Sequence, residues 1–231
     1  KINNIFDFIE FILLQLHEEL KQEINPVNCE TWNELEKKAY EKEIGKEQSL
    51  ITKIFQGFLK VNNTENNEFI LKKFLYLIFE LNSEKLGNEI SIFDLFNNIN
   101  NINISNINED LKNIGDNSCI NKKIELFIYP KILILMLKNK NNNIAINVEE
   151  KIDLSNLNES INNNYIIIYH LYSVIYEIND NNNKKYIVKC KNEANNLWYL
   201  FKDEIITSNN DLKSEVDNNE IPLILFYYRD L

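Results

Sequence analysis

The residues best suited to nucleophilic or metal chemistry are few and lie far apart in the sequence. The three cysteines are Cys29, Cys119 and Cys190, and the two histidines are His17 and His170. No CxxC pair and no HExxH motif occurs, so we expect no metal site and no bound cofactor. The odd number of cysteines disfavours a disulfide framework and indicates a reducing compartment. Spacing alone therefore identifies no catalytic pair.

The composition argues against several classes of function. Lysine and arginine total 25, aspartate and glutamate total 35, and the net charge is −10. Nucleic acids and anionic membranes attract clustered basic residues, so neither is an expected partner. The four glycines are well separated, whereas a P-loop or a dinucleotide-binding turn needs several within one turn. Apolar runs are too short to span a bilayer and no signal peptide is visible, so we expect a cytoplasmic or nuclear protein.

The first third of the chain has the apolar periodicity of α-helices. Apolar residues recur at helical spacing over residues 5–20. A capping box that starts at Thr31 predicts a helix over residues 32–43. Ser49 is predicted to cap a further helix over residues 50–58. These predicted helices must position any functional site near the start of the chain.

After about residue 60 the pattern changes to β-strands, with one short helix predicted at residues 90–99. Strands are predicted at residues 74–81, 124–128, 132–137, 165–176, 185–190, 197–201 and 223–228. Asparagine-rich segments separate them and are predicted to be loops, since asparagine tolerates turn geometry. Helices followed by strands predict an α+β fold rather than a parallel doubly wound sheet.

Eight segments of the sequence carry motifs that occur together in one protein family. They are NNIFDF (3–8), FILLQLHEEL (11–20), SLITKIFQGFLK (49–60, preceded by Trp32), FLYLIFEL (74–81), YPKILILMLK (129–138), YHLYSV (169–174), WYLFKD (198–203) and LILFYYR (223–229). In this order and spacing they resemble the ubiquitin-specific protease family of cysteine proteases. The resemblance implies a papain-like α+β fold with part of a helical thumb at residues 1–60. Fingers and a palm, built of antiparallel sheets, are implied for residues 61–231.

The resemblance also implies where catalytic residues should lie, and these positions are degenerate. Family members have a Gly-Asn-Thr-Cys-like box that holds the nucleophile, and no such box occurs in the 231 residues. Cys29 is a poor candidate because no histidine lies near it in sequence. The family histidine matches Lys185, and the family Asp or Asn that orients it matches Lys202, followed by Asp203. An ammonium cannot accept a proton from a thiol, so the resemblance implies a member without an intact triad.

The resemblance further implies positions that contact ubiquitin. They are Asn4, Asp7, Phe8, Phe55, Gln56, Tyr186 and Trp198. For Phe8, Phe55 and Trp198 the alternative is a place in the core, where aromatic residues at regular spacing commonly lie. His170 is interpreted as an ordinary strand histidine. Of the cysteines that hold zinc in the fingers of many family members only Cys119 remains, so no metal is expected.

Three functions remain open at this point. The first is an inactive domain that binds ubiquitin. The second is a protein-interaction scaffold without ubiquitin contact. The third is part of an active deubiquitinase whose nucleophile lies upstream of residue 1. The expected partner is ubiquitin or another protein, and the oligomeric state is not predicted.

Overall fold

The structure is a computed structural model in which residues 4–23, 32–44, 47–63, 68–82, 86, 88–100, 103–104, 122–139, 144–157, 166–180, 183–212 and 220–230 are described. The helices are α1 (Ile5–Glu19), α2 (Glu34–Ile44), α3 (Leu50–Phe55) and α4 (Ile92–Asn97). The strands are β1 (Lys21–Glu23), β2 (Glu47–Ser49), β3 (Gly57–Asn63), β4 (Phe69–Phe74), β5 (Leu77–Leu81), β6 (Glu89–Ser91), β7 (Asn103–Ile104), β8 (Lys122–Ile128), β9 (Ile132–Asn139), β10 (Ala145–Asn147), β11 (Lys151–Asp153), β12 (Ile168–Asp180), β13 (Asn183–Asn192), β14 (Leu197–Lys202), β15 (Ile205–Asn209) and β16 (Glu220–Arg229). The α+β class predicted from the sequence is confirmed.

Two compact units divide the chain. The first combines Lys1–Tyr76 with Asp110–Lys131, and the second combines Leu77–Glu109 with Ile132–Leu231. Each unit is therefore discontinuous in sequence. Within the described residues, no helix combines the length and apolar character needed to cross a bilayer.

In the first unit, α2 begins at Glu34 because Asn33 caps it. The Glu36 amide donates to Asn33 Oδ1 at 2.9 Å, and the Asn33 amide donates to Glu36 Oε2 at 3.1 Å. This reciprocal arrangement is a capping box. It starts two residues later than the box predicted at Thr31, which lies outside the described residues. The predicted helix start is corrected accordingly.

The helix α3 is shorter than predicted because a strand begins at Gly57. Ser49 caps it as expected: the Thr52 amide donates to Ser49 Oγ at 3.2 Å. The helix then ends at Phe55 instead of residue 58. A Cβ atom at Gly57 would lie 2.8 Å from the carbonyl oxygen of Ile128, closer than real side chains approach. Glycine therefore permits the close approach of β3 to β8.

An aromatic cluster packs α2 against a three-stranded antiparallel sheet of order β4-β3-β8. Phe58 and Phe127 are buried members of this cluster, and Trp32 and Tyr40 pack against them. The Trp32 ring centroid lies 5.0 Å from that of Tyr40 and 5.1 Å from that of Phe127. The cluster thus joins the segment around α2 to the sheet in this unit.

Trp32→Ala should lower the free energy of unfolding by about 3 kcal/mol, because the indole fills space between Tyr40 and Phe127. Urea unfolding followed by circular dichroism measures the change. Leu35→Ala is a matched control, since Leu35 is 68% exposed in the same segment and should change stability by less than about 0.5 kcal/mol. Superimposable curves for the Trp32 variant and the unsubstituted protein would contradict the packing.

The second unit is built on a large sheet with strand order β15-β14-β13-β12-β16-β9-β5-β7, and β11 pairs with β12. All these pairings are antiparallel except that of β5 with β9. In β9, Leu133–Leu137 are all buried, as expected for a central strand covered on both faces. The predicted strand over 74–81 is interrupted at residues 75 and 76, where β4 of the first unit ends and β5 of the second begins.

Candidate functional site

Lys185 lies near the start of β13, in a hairpin with β12. Its partner on β12 is Ile178, and the next pair along the ladder is Tyr186 with Glu177. Lys185 and Tyr186 are both exposed. They point to opposite faces of the sheet because successive strand residues alternate. The loop predicted over residues 177–184 is thus mostly strand, because pairing continues to Asp180 with Asn183.

Lys202 is the last residue of β14 and pairs with Ile205 at the start of β15. Asp203 and Glu204 form the turn between these strands. Asp203 has a φ of 52°, a left-handed conformation that aspartate tolerates better than most other side chains. The turn therefore leaves both carboxylates and the Lys202 side chain exposed.

The strand register brings Lys185 and Lys202 together on one face of the sheet. Leu200 pairs with Lys189, and Lys202 lies two residues beyond Leu200, so alternation along β14 places Lys202 on the face of Lys189. Lys185 precedes Lys189 by four residues on β13 and shares that face. The two positions that match the family histidine and aspartate thus lie on one face of the sheet, and both hold lysine.

Lys184 lies on the opposite face, together with Tyr186. Its ammonium donates to Glu177 Oε2 at 2.9 Å. This hydrogen bond raises the pKa of Lys184 above its ordinary value. Lys184 is therefore held in its protonated form and cannot act as a general base at neutral pH.

His170 lies too far along β12 to serve the Lys185 position. It pairs with Tyr228, eight residues from Ile178, which is roughly 26 Å at the rise of a strand. Its Nε2 lies 3.0 Å from Asp230 Oδ2, and its ring stacks on Tyr228 at a centroid distance of 5.4 Å. These contacts hold the His170 ring at the end of β12 that lies away from Lys185.

Trp198 is a core residue with 2% of its surface exposed. Its Nε1 lies 3.4 Å from Glu150 Oε2, and the Lys191 ammonium lies 5.7 Å from the ring centroid. Lys191 also donates to Glu150 at 3.0 Å. Since the indole is enclosed, the core alternative applies to Trp198, and its side chain does not offer a surface to ubiquitin. It holds β13 and β14 in place instead.

Apart from Tyr186 on β13, the other predicted ubiquitin-contact residues lie in the first unit. Asn4 caps α1 by accepting from the Asp7 amide at 2.9 Å. Phe8, in the same turn, is 44% exposed, so its side chain is not in the core. Phe55 and Gln56, at the end of α3, are half-buried. These five positions therefore occupy the start of α1 and the end of α3.

A histidine joins these two helices. The His17 Nδ1 atom of α1 lies 2.7 Å from Ser49 Oγ, the hydroxyl that caps α3. Ser49 is fully buried, so this hydroxyl is closed to a substrate. The pair is therefore a structural link and cannot act as a nucleophile with its base.

In the described part of the chain, no cysteine can be matched as a nucleophile to the positions of Lys185 and Lys202. Cys29 and Cys119 lie outside the described residues. Cys190 is half-buried on β13, with its Sγ 3.2 Å from Ser173 Oγ. Within the described ranges, no group of three or more His, Cys, Asp or Glu side chains could hold a metal ion. The expected lack of zinc stays a prediction.

Sequence reasoning missed two carboxylates that organise these strands. Glu177 interrupts the apolar run of β12, and the hairpin register could have placed it beside Lys184. Glu150 approaches Trp198 across 48 residues of sequence. A contact between residues so far apart in the sequence leaves no local sequence pattern from which it could be predicted.

The sequence model of the ubiquitin carboxyl-terminal hydrolase family matches residues 2–227. No curated protein matches the chain. Among solved structures, the SAGA Ubp8/Sgf11/Sus1/Sgf73 DUB module matches at 18% identity and a TM-score of 0.63, over 98% of this chain and 47% of the matched chain. A Ubp8 DUB module bound to monoubiquitin matches at 17% identity and a TM-score of 0.65, over 99% and 49%.

A yeast SAGA DUB module gives 18% identity and a TM-score of 0.61, over 98% of this chain and 48% of the matched chain. At such identities the likeness concerns the fold. The chain also spans only about half the length of these matched chains. The match to the family model, however, extends over nearly the whole sequence. The chain therefore belongs to the ubiquitin carboxyl-terminal hydrolase family and has the ubiquitin-specific-protease fold.

Proposed function

We propose that this chain is a catalytically inactive ubiquitin-specific-protease-like domain that binds ubiquitin. The observation that carries the proposal is the pair Lys185 and Lys202 on one face of the sheet, at the positions that match the family histidine and aspartate. Within this proposal, residues 1–60 form part of the thumb and residues 61–231 form fingers and palm. No cofactor is required, and the cytoplasm or nucleus is the proposed location.

The chemistry of this face opposes thiol activation. A general base needs a lone pair within hydrogen-bond reach of the nucleophile. An exposed ammonium has none, and a second ammonium on the same face would repel a neighbouring imidazolium rather than orient it. Asp203 is the nearest carboxylate in sequence, but it lies in the turn beyond Lys202. A hydrolytic role for this face would therefore need groups that it does not carry.

Retention of the fold supports a binding role. The solved neighbour bound to monoubiquitin has the same fold. Of the predicted contact positions, Phe8 and Tyr186 are 44% and 39% exposed and can reach a partner. Both are aromatic, and aromatic side chains are frequent anchors at protein interfaces. Binding to another protein, without ubiquitin, is a scaffold function that the same surfaces would allow.

A second candidate is part of an active deubiquitinase whose nucleophile lies outside residues 1–231. It is favoured by the length of the matched solved chains, of which this chain covers 47% to 49% in the first two. An electrophilic ubiquitin probe that reacts with active-site cysteines distinguishes the candidates. Covalent labelling of the natural full-length protein would favour the second, and unlabelled protein would favour the inactive domain.

Titration of the 231-residue chain with ubiquitin, by calorimetry and by NMR, tests the proposed binding directly. A hydrolysis assay with a fluorogenic ubiquitin substrate is run on the same sample. We expect binding without turnover. Absence of binding would overturn the ubiquitin-binding proposal and favour the scaffold, whereas turnover would overturn the inactive assignment.

Lys185→His should not create hydrolytic activity, alone or combined with Lys202→Asp. The substitutions supply an imidazole and a carboxylate on the correct face, but no activated thiol accompanies them. The fluorogenic assay measures turnover, and circular dichroism verifies that both variants fold. Turnover by the double variant above that of Lys151→His, an exposed control on β11, would contradict the proposal.

A further inference from the structure

A β-bulge near the start of β12 brings an additional aromatic side chain to one face of the large sheet. Leu171 pairs with Tyr227 of β16. The preceding residue of β16, Phe226, pairs with Ser173, so Tyr172 is an extra residue on β12. A bulge of this kind breaks the strict alternation of side chains along a strand. The centroid of the Tyr172 ring accordingly lies 6.0 Å from that of Phe226.

Four rings meet on this face and form what we call the aromatic patch: His170, Tyr172, Phe226 and Tyr228. The His170 ring stacks on Tyr228 at a centroid distance of 5.4 Å, and the Tyr172 centroid lies 6.3 Å from that of Tyr228. All four residues are half-buried, whereas Tyr227, which points to the opposite face, is fully buried. The patch is therefore a continuous aromatic surface that solvent can reach.

Two carboxylates border the aromatic patch. Asp230 Oδ2 lies 3.0 Å from His170 Nε2, and the Asp230 side chain is 56% exposed. Glu193, in the turn after β13, is exposed and accepts a hydrogen bond from the Tyr228 hydroxyl. Burial and the charge of Glu193 raise the pKa of Tyr228, so its hydroxyl remains a donor at neutral pH. Since a carboxylate accepts several hydrogen bonds, both groups can accept from a further donor.

Aromatic faces beside carboxylates are suited to a cation, because the face of a ring carries negative electrostatic potential. The cation–π contacts among the described residues lie elsewhere in the chain. A guanidinium fits this surface better than an ammonium. It is planar and stacks on an aromatic face, and its N–H donors lie in a fixed plane from which they can reach two carboxylates. Lys151 of β11, which pairs with His170, opposes a bound cation.

We propose that the aromatic patch, together with Glu193 and Asp230, binds an exposed arginine side chain of a partner protein. The guanidinium stacks on the Tyr228 ring and donates hydrogen bonds to the two carboxylates. The net charge of −10 supports a basic partner through long-range attraction. The patch shares no residue with the seven predicted ubiquitin-contact positions, so the inference does not depend on the proposed ubiquitin binding.

The test titrates the isotope-labelled 231-residue chain with the peptide acetyl-Gly-Arg-Gly-amide and follows it by NMR. We expect the amide signals of β12 and β16 around His170 and Tyr228 to shift. The same peptide with citrulline, a neutral side chain of nearly the same shape as arginine, should bind roughly tenfold more weakly. A lysine peptide should bind roughly threefold more weakly than the arginine peptide, because an ammonium does not stack on a ring as a plane.

Variants of the chain locate the bound arginine. Tyr228→Leu and Glu193→Gln should each weaken binding of the arginine peptide by roughly fivefold. Lys151→Met removes an opposing charge and should tighten binding by about twofold. The controls Phe201→Leu and Glu204→Gln change an exposed aromatic residue and an exposed acid of the same unit, and should leave binding unchanged. Circular dichroism verifies that each variant folds.

Three results would overturn the inference. The first is equal binding of the arginine and citrulline peptides, which would show that charge is not recognised. The second is unchanged arginine binding in Glu193→Gln and in Tyr228→Leu, which would place the cation on another acidic surface. Glu193 is exposed, so its variant keeps the test decisive even if Tyr228→Leu fails to fold. The third is equal binding of the lysine peptide, which would remove the assignment to a guanidinium.

Discussion

Replacing Trp198 with alanine should lower the free energy of unfolding by about 4 kcal/mol. The indole is 2% exposed, and its loss leaves a large cavity beside β13 and β14. It also removes one of the two donors to Glu150 Oε2, at 3.4 Å, and the ring below the Lys191 ammonium. Urea unfolding of the purified variant measures the loss.

Two control variants separate the causes of this loss. Trp198→Phe keeps most of the ring and removes the indole N–H, so it should cost roughly half as much. Phe201→Ala truncates an aromatic residue on the same strand that is 41% exposed, and should cost about 1 kcal/mol. If Trp198→Ala cost no more than Phe201→Ala, the indole would not be packed as described.

Lys60→Met should destabilise the first unit by about 3–5 kcal/mol, because it leaves a buried carboxylate without its cation. The Lys60 ammonium lies 2.9 Å from Glu36 Oε1, and both side chains are 11% exposed. It also lies over the rings of Phe69 and Phe127, at 4.6 and 5.5 Å. Across the strand pair its partner is Glu125, a second buried acid. Thermal and urea unfolding measure the loss.

A double-mutant cycle gives the strength of the pair itself. Glu36→Gln keeps an oxygen that can accept from the Asn33 amide and removes the charge. Combined with Lys60→Met it should recover a substantial part of the stability lost in Lys60→Met alone. Lys37→Met breaks the exposed pair with Glu34, at 3.4 Å, and should change stability by less than about 0.5 kcal/mol. If Lys60→Met had a similarly small effect, water could take the place of the Lys60 ammonium beside Glu36.

Sequence patterns located most of the strands that build the second unit. The apolar runs at residues 132–137 and 223–228 lie inside β9 and β16, because buried central strands need uninterrupted apolar residues. The pattern at 197–201 likewise lies inside β14. The family motifs then placed Lys185 and Lys202 at equivalent positions. Only the strand register could show that the two side chains share a face.

Other features escaped prediction for physical reasons. Residues 177–184 are polar and asparagine-rich, so they were predicted as a loop, but pairing with a neighbouring strand extends the hairpin through most of them. The strand β15 was not predicted, since its apolar residues Ile205 and Ile206 form only a short run. Exposure was also unpredictable: Trp198 is enclosed, whereas Phe8 is 44% exposed. Burial depends on distant segments, which a local pattern does not include.

The interleaving of the two units determines the order in which the protein can fold during synthesis. The sheet of the first unit needs β8, which ends at Ile128, although β3 with which it pairs begins at Gly57. A nascent chain that has emerged only as far as residue 109 therefore carries β3 with one edge unpaired. Domains generally fold as units, the N-terminal one first. Here the first unit must wait until the opening segment of the second has emerged, and expression of residues 1–76 alone would yield a sheet without its closing strand.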